Sequence, residues 1–119
     1  MPKRTKITPT DNQIKCTKIV EMCSNAIDIL ATGLVSAVTK ADLHVPLNNP
    51  ETVFRNDYIE PLLQNIVAQK IGLPSNTVSL QTQIKNTFGV KIGGSIINLT
   101  QGVANEGITK YNNTIGRDR

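Results

Sequence analysis

The side chains best suited to covalent or metal chemistry are His44, Cys16 and Cys23. His44 is the sole histidine and shares its stretch with Pro46 and Pro50, so spacing sets no cysteine beside it as a nucleophile and base pair. It reads as a surface or loop-packing histidine. Cys16 and Cys23 lie seven positions apart, about 10 Å along a helix axis, which is too far for a disulfide. With one remote histidine they match no zinc spacing either. The expectation is a protein with no catalytic group, metal or cofactor, its cysteines serving as buried thiols in a reducing compartment.

A second candidate is Gly89-Val90-Lys91-Ile92-Gly93-Gly94-Ser95, which could offer backbone N–H groups to a phosphate at a helix start. The lysine precedes the glycine pair and no Gly-Lys-Ser/Thr follows, so this is no Walker loop. The stronger reading has Gly89 closing one helix, Gly93 and Gly94 turning the chain, and Ser95 capping the next helix. The spacing across residues 73–107 is also similar to that of acyl carrier proteins. Lys91-Ile92-Gly93 stands where their Asp-Ser-Leu motif would be, leaving no serine to carry a prosthetic group.

Side chains that bind without reacting are better represented. Across residues 63–88, Ala68, Gly72, Leu73 and Val78 fall at offsets similar to a helix-turn-helix: a small residue at a helix crossing, a glycine in the turn, and apolar anchors on the second helix. With Leu80, Ile84 and Phe88 on the core face, Ser79, Thr82, Gln83, Lys85 and Asn86 point outward or flank it. These could meet phosphates or base edges. Val78 lies off that stripe and Pro74 stands in the turn, which favours a plain helical hairpin of the core.

Charge divides along the chain. Residues 1–18 carry Lys3, Arg4, Lys6, Lys15 and Lys18 against Asp11; residues 19–60 carry six carboxylates against Lys40 and Arg55; residues 61–119 carry Lys70, Lys85, Lys91, Lys110, Arg117 and Arg119 against Glu106 and Asp118. Such a division suits a polyanion on the basic parts, or head-to-tail association of basic on acidic surfaces. Charged residues make up only 18% of the chain, below the roughly 25% of ordinary soluble domains. Thr and Asn take their place, as on a surface that copies or partners cover.

The elements that must position these groups are helical. The residues of 12–41 fall on a wheel with Cys16, Ile19, Cys23, Ala26, Ile27, Leu30, Gly33, Leu34, Ala37 and Ala41 on one side, and no proline interrupts the run. One long N-terminal helix is expected there, packed by three to four shorter helices in a single domain of residues 11–119, after a basic extended arm of residues 1–10. Asn49-Pro50-Glu51 has the order of a short helix start. A helix follows from about Asp57 or Pro61 to Ile71, stopped by Gly72 and Pro74. Another runs from a cap at Ser75 or Asn76 to Phe88, with a strand over residues 77–92 as the competing reading. A last helix runs from Ser95 to near Gly107. The uncharged stretch of residues 29–39 is too short to span a bilayer, and no secretory signal is visible.

Two function classes follow. The first is a small, non-enzymatic, oligomeric nucleic-acid-binding protein that acts through Lys3, Arg4, Lys6, Lys15 and Lys18 and through the helix-turn-helix-like second half, with Lys70, Ser79, Thr82, Gln83, Lys85, Asn86 and Lys91. The second is a self-assembling structural subunit of a viral particle or filament, in which Ala26, Gly33 and Ala37 line a helix seam between copies. The expected location is cytoplasmic or within a viral particle, with no membrane and no small-molecule substrate.

Overall fold

The computed structural model describes residues 11–40 and 49–114. The basic arm with Lys3, Arg4 and Lys6, the stretch with Ala41 and His44, and residues 115–119 lie outside the described residues. The protein is almost entirely helical: α1 (Asp11–Met22), α2 (Ser24–Lys40), α3 (Pro50–Phe54), a π-helical segment (Arg55–Ile59), α4 (Glu60–Lys70), α5 (Thr77–Phe88) and α6 (Val90–Thr114). No strand occurs among the described residues, so the competing strand over residues 77–92 is set aside in favour of α5 and the start of α6.

The expected long N-terminal helix is two helices. The axis bends by 58° between α1 and α2, at Cys23, whose N–H reaches back three residues to Val20 O at 3.0 Å while its own carbonyl accepts Ile27 N–H at 3.0 Å. The apolar stripe survives the bend, because one tightened turn redirects the axis while the rotational phase stays nearly constant. Cys16, Ile19, Cys23, Ile27, Leu30 and Leu34 are buried as the wheel requires, together with Ala31 and Val38. Ala26 and Ala37 are half-buried, and Gly33 is exposed, at the edge of the stripe instead of within it.

Residues 50–70 run as one helix with a widened turn in the middle. Asn49 takes a left-handed conformation (φ 52°) ahead of Pro50 and makes no side-chain cap bond; asparagine is among the few residues that tolerate that region. Pro61 cannot donate to Asp57 O and its ring would crowd that carbonyl in an α-ladder. The π-helical segment, in which Glu60 N–H reaches Arg55 O, gives the chain room there. It also brings Phe54 and Tyr58 to the same neighbour. Phe54, Tyr58 and Phe88 meet edge to face with centroids 5.1, 5.2 and 6.2 Å apart, contacts worth about 0.5–1.5 kcal/mol each beyond burial. Arg55 Nε lies 2.6 Å from Asp28 Oδ1, tying this segment to α2; the N–H is buried and aimed off that oxygen, so charge holds the pair more than a directed hydrogen bond does.

The longest helix is the last. α6 spans 25 residues, from just after Gly89 (φ 91°). Gly93 and Gly94 lie inside it instead of forming the expected turn, and it passes through Gly107 without ending. Its buried stripe, Gly93, Ile96, Ile97, Thr100, Ala104, Gly107 and Tyr111, keeps helical spacing throughout. Thr100 is fully buried and gives its proton to Ile96 O at 2.7 Å, so the polar group costs little there. The two buried glycines let α6 lie close to its neighbours. A Cβ at Gly93 would stand 3.0 Å from Lys85 Cα on α5, and one at Gly107 would stand 2.5 Å from Cys23 Sγ at the α1–α2 bend. α6 is therefore the element against which α1, α2, α4 and α5 all pack.

Candidate nucleic-acid interface

The turn between α4 and α5 is fixed from both sides. Gly72 (φ 87°) sits just past the end of α4, with Leu73 N–H on Ala68 O at 2.8 Å and Gly72 N–H on Gln69 O at 3.3 Å. This pair of bonds is the Schellman closure that a left-handed glycine permits. From the other side, Asn65 on α4 holds the start of α5. Its Oδ1 accepts Asn76 N–H at 2.7 Å and its backbone O accepts Thr77 Oγ1 at 3.1 Å, while its Nδ2 donates to Pro61 O at 2.8 Å. A side chain of α4 thus takes an orphan N–H at the α5 start, and Asn76 makes no side-chain cap of its own. The turn is six residues long, 71–76, against three to four in a helix-turn-helix. Val78 is 77% exposed and anchors nothing; buried Thr77 occupies that place. The pair is a helical hairpin whose second helix is held by Asn65.

α5 packs on the fold along one face. Thr77, Ile84 and Phe88 of its twelve residues are buried and Leu80 and Gln81 are half-buried beside them, a face about 100° wide at 100° per residue. Ser79, Thr82, Gln83, Lys85 and Asn86 are all exposed, with Thr82, Asn86 and Ser79 nearly opposite that face, Gln83 to one side of them and Lys85 and Val78 on the other flank. Thr82 Oγ1 donates to Val78 O at 3.0 Å and Thr87 Oγ1 to Gln83 O at 2.9 Å. Both hydroxyls have spent their protons inside the helix and can only accept a further bond. Lys91, exposed in the first turn of α6, stands within one turn of Gly93, which packs on the backbone of Lys85.

The remaining basic residues are placed differently. Lys70 is exposed at the last residue of α4, where a cation meets the negative end of the helix dipole. Lys15 is half-buried, its Nζ 5.6 Å from the centre of the Tyr111 ring, so it joins α1 to α6. Lys18 lies with Ile14, Glu21, Gln64 and Leu73 along a groove of about 860 Å³ between α1 and the α4–α5 turn, next to a carboxylate and away from the outward face of α5. Among the described residues, then, the sequence-selected group divides into Ser79, Thr82, Gln83, Lys85, Asn86 and Lys91 on adjoining elements, Lys70 at the turn, and Lys15 and Lys18 on α1.

Ala26, Gly33 and Ala37 share one side of α2 with Ile29, which is 70% exposed. Among the described residues nothing lies within 4 Å of where a Gly33 Cβ would be, so none of the described helices crosses there. Cys16 and Cys23 are buried free thiols on Gln64 O and Val103 O, at 3.6 and 3.8 Å. Burial pushes both thiol pKa values up; at Cys23 the nearby Lys110 opposes that and Glu106 adds to it. Such thiols are poor nucleophiles. Among the described residues no three His, Cys, Asp or Glu side chains converge to hold a metal, and no single helix is long and apolar enough to cross a membrane.

One feature of the candidate interface escapes the sequence reading. Asn65 looks like an ordinary polar residue of α4, and no spacing rule marks its reach of eleven residues to Asn76. The charge division read from the sequence leaves residues 61–105 with no Asp or Glu, and the fold gathers that stretch so that α5 and the first half of α6 contribute no carboxylate. Compared with known proteins, the chain matches no family model, no curated protein and no solved structure.

Proposed function

We propose that this is a small, non-enzymatic nucleic-acid-binding protein that contacts its partner through α5 and the first half of α6, with the basic residues 1–10 adding electrostatic attraction. The observation that supports this reading is the carboxylate-free surface. Exposed Lys70, Lys85 and Lys91 and the amides and hydroxyls of α5 are the side chains that meet phosphates and base edges, and residues 61–105 contribute no negative charge to repel a polyanion. Most acidic residues lie in residues 19–60, on other elements.

Fluorescence anisotropy with labelled oligonucleotides at a series of salt concentrations tests it. Each lysine that neutralises a phosphate releases counterions, so log K should fall against log salt with a slope of about −0.9 per contact. Lys85→Glu combined with Lys91→Glu should weaken binding about tenfold or more and flatten that slope by about 2, whereas Lys40→Glu should change neither. A flat salt dependence, or equal losses at Lys40 and at the lysine pair, overturns the proposal.

A second reading, a self-assembling structural subunit, is supported by the open space at Gly33 beside exposed Ile29 on α2. In that reading a second copy supplies the crossing helix, and light scattering of the purified chain should give a mass above that of the 13.0 kDa chain, with Gly33→Leu returning it to the monomer.

A further inference from the structure

We infer that the nucleic acid taken by this surface is duplex DNA, with α5 lying in the major groove; the inference rests on the reading of α5 and α6 as the contact surface. The placement of the aromatic residues argues against a single strand. The chain has two Phe, two Tyr and no Trp. Phe54, Tyr58 and Phe88 are turned edge to face against one another, and Tyr111 is buried with the Lys15 ammonium over its ring. Proteins that hold unpaired bases stack them on aromatic rings or arginine planes. Here every aromatic ring is already engaged, and Arg55, the one arginine among the described residues, is held against Asp28. A duplex brings its bases already stacked and asks for no such platform.

The shape of α5 then selects the groove. Twelve residues span about 18 Å, and a helix of about 10–12 Å diameter enters the B-form major groove, which is about 12 Å wide. The deep, narrow major groove of duplex RNA does not admit it. Because α5 packs through Thr77, Leu80, Gln81, Ile84 and Phe88 alone, the opposite side of its circumference is free to enter. Asn86 lies opposite the buried face and Gln83 about 60° to one side of Asn86, and side-chain amides pair bidentately with adenine N6 and N7. Thr82 Oγ1, whose proton goes to Val78 O, is left as an acceptor for an exocyclic amine, and the exposed methyls of Val78 suit the thymine C5-methyl. Lys85 is exposed on one flank of this face, and Lys91 is exposed in the first turn of α6 two residues before Gly93, which packs on the Lys85 backbone; both are available to phosphates. The combination favours A·T-containing sites.

The test is anisotropy of the full chain with a labelled 20-bp DNA duplex, one of its strands alone, and the corresponding RNA duplex, followed by A·T-rich and G·C-rich DNA duplexes. Duplex DNA should bind about tenfold tighter than the single strand or the RNA duplex. The A·T-rich duplex should bind about fivefold or more tighter than the G·C-rich one, as expected for a bidentate amide contact. The Gln83→Ala, Asn86→Ala double variant, with helicity checked by circular dichroism, should bind both duplexes with the G·C-rich affinity. Equal or tighter binding of the single strand or the RNA duplex would overturn the inference and leave the proposed function standing. An A·T preference that survives the double variant would overturn the groove placement. No binding to any of the probes would overturn both.

Discussion

Gly33 in α2 and Gly107 in α6 are the same residue in the same setting, the interior of a helix, and their surroundings are opposite. At Gly107 a Cβ would come 2.5 Å from Cys23 Sγ and 3.2 Å from Ile19 Cγ2; at Gly33 it would meet nothing within 4 Å. Gly93 resembles Gly107, with the backbone of Lys85 and Ile84 at 3.0–3.2 Å. A glycine costs about 1 kcal/mol in a helix interior relative to alanine. In α6 that cost is offset by the close approach of α5 and of the α1–α2 bend. In α2 no such offset is found among the described residues. A small residue in a helix therefore marks a place where something can approach, and only the packing shows what does.

The largest test of this contrast is Gly93→Leu, where the new side chain is driven against the backbone of α5. The loss should reach or exceed about 3 kcal/mol, read as a steep drop in thermal midpoint; a midpoint within a few degrees of the parent would remove the close crossing of α5 and α6. Gly107→Ala should lose about 1–3 kcal/mol. Here the obstructing atom is a sulfur, so Cys23→Ala should return a large part of that loss in the double variant. A strictly additive double-mutant cycle would mean that the two residues do not meet.

Gly33→Ala should move the other way, stabilising by about 0.5–1 kcal/mol through the intrinsic preference of alanine. A lower midpoint for this variant would show that the α2 face is covered by a second copy and would favour the assembling reading. The smallest effect is expected from pH. The ordinary value of a free thiol is 9.0, and burial raises both above it, so the unfolded chain gives up these protons first. The stability they contribute is fully present below pH 9 and is lost as pH rises through 9 toward the folded values. Chemical denaturation from pH 7 to 10.5 should show a decline confined to that upper range, absent in a Cys16→Ala, Cys23→Ala variant.

What the letters disclosed followed from local rules. α5, its stop at Gly89, and the outward position of Ser79, Thr82, Gln83, Lys85 and Asn86 all come from apolar spacing and a glycine at the helix end. The rules failed where a distant element decided the outcome. The bend at Cys23 leaves the wheel pattern of α1 and α2 intact, so periodicity is blind to it. The glycine pair at 93 and 94 carries turn-like letters, yet Gly93 is needed where α6 touches α5, and the helix runs through both. Val78 has an anchor's side chain, but the Asn65 clamp presents buried Thr77 to the core and leaves Val78 outside. Of the candidate interface, the outward position of the side chains was legible and the clamp at the start of their helix was not.

The widened turn at Arg55–Ile59 makes the gene respond to a change of length there as it would nowhere else in residues 50–70. A π-turn holds one residue more than an α-turn of the same rise, so deleting a single codon within it would leave the two flanks nearly in phase and keep Phe54 toward Phe88. The deletion would instead set the Pro61 ring against the carbonyl four residues before it, the clash that the wide turn avoids. A one-codon deletion in the regular ladder of α4 would do the opposite: it would rotate everything before it by about 100° about the helix axis and turn Phe54 and Tyr58 away from α5.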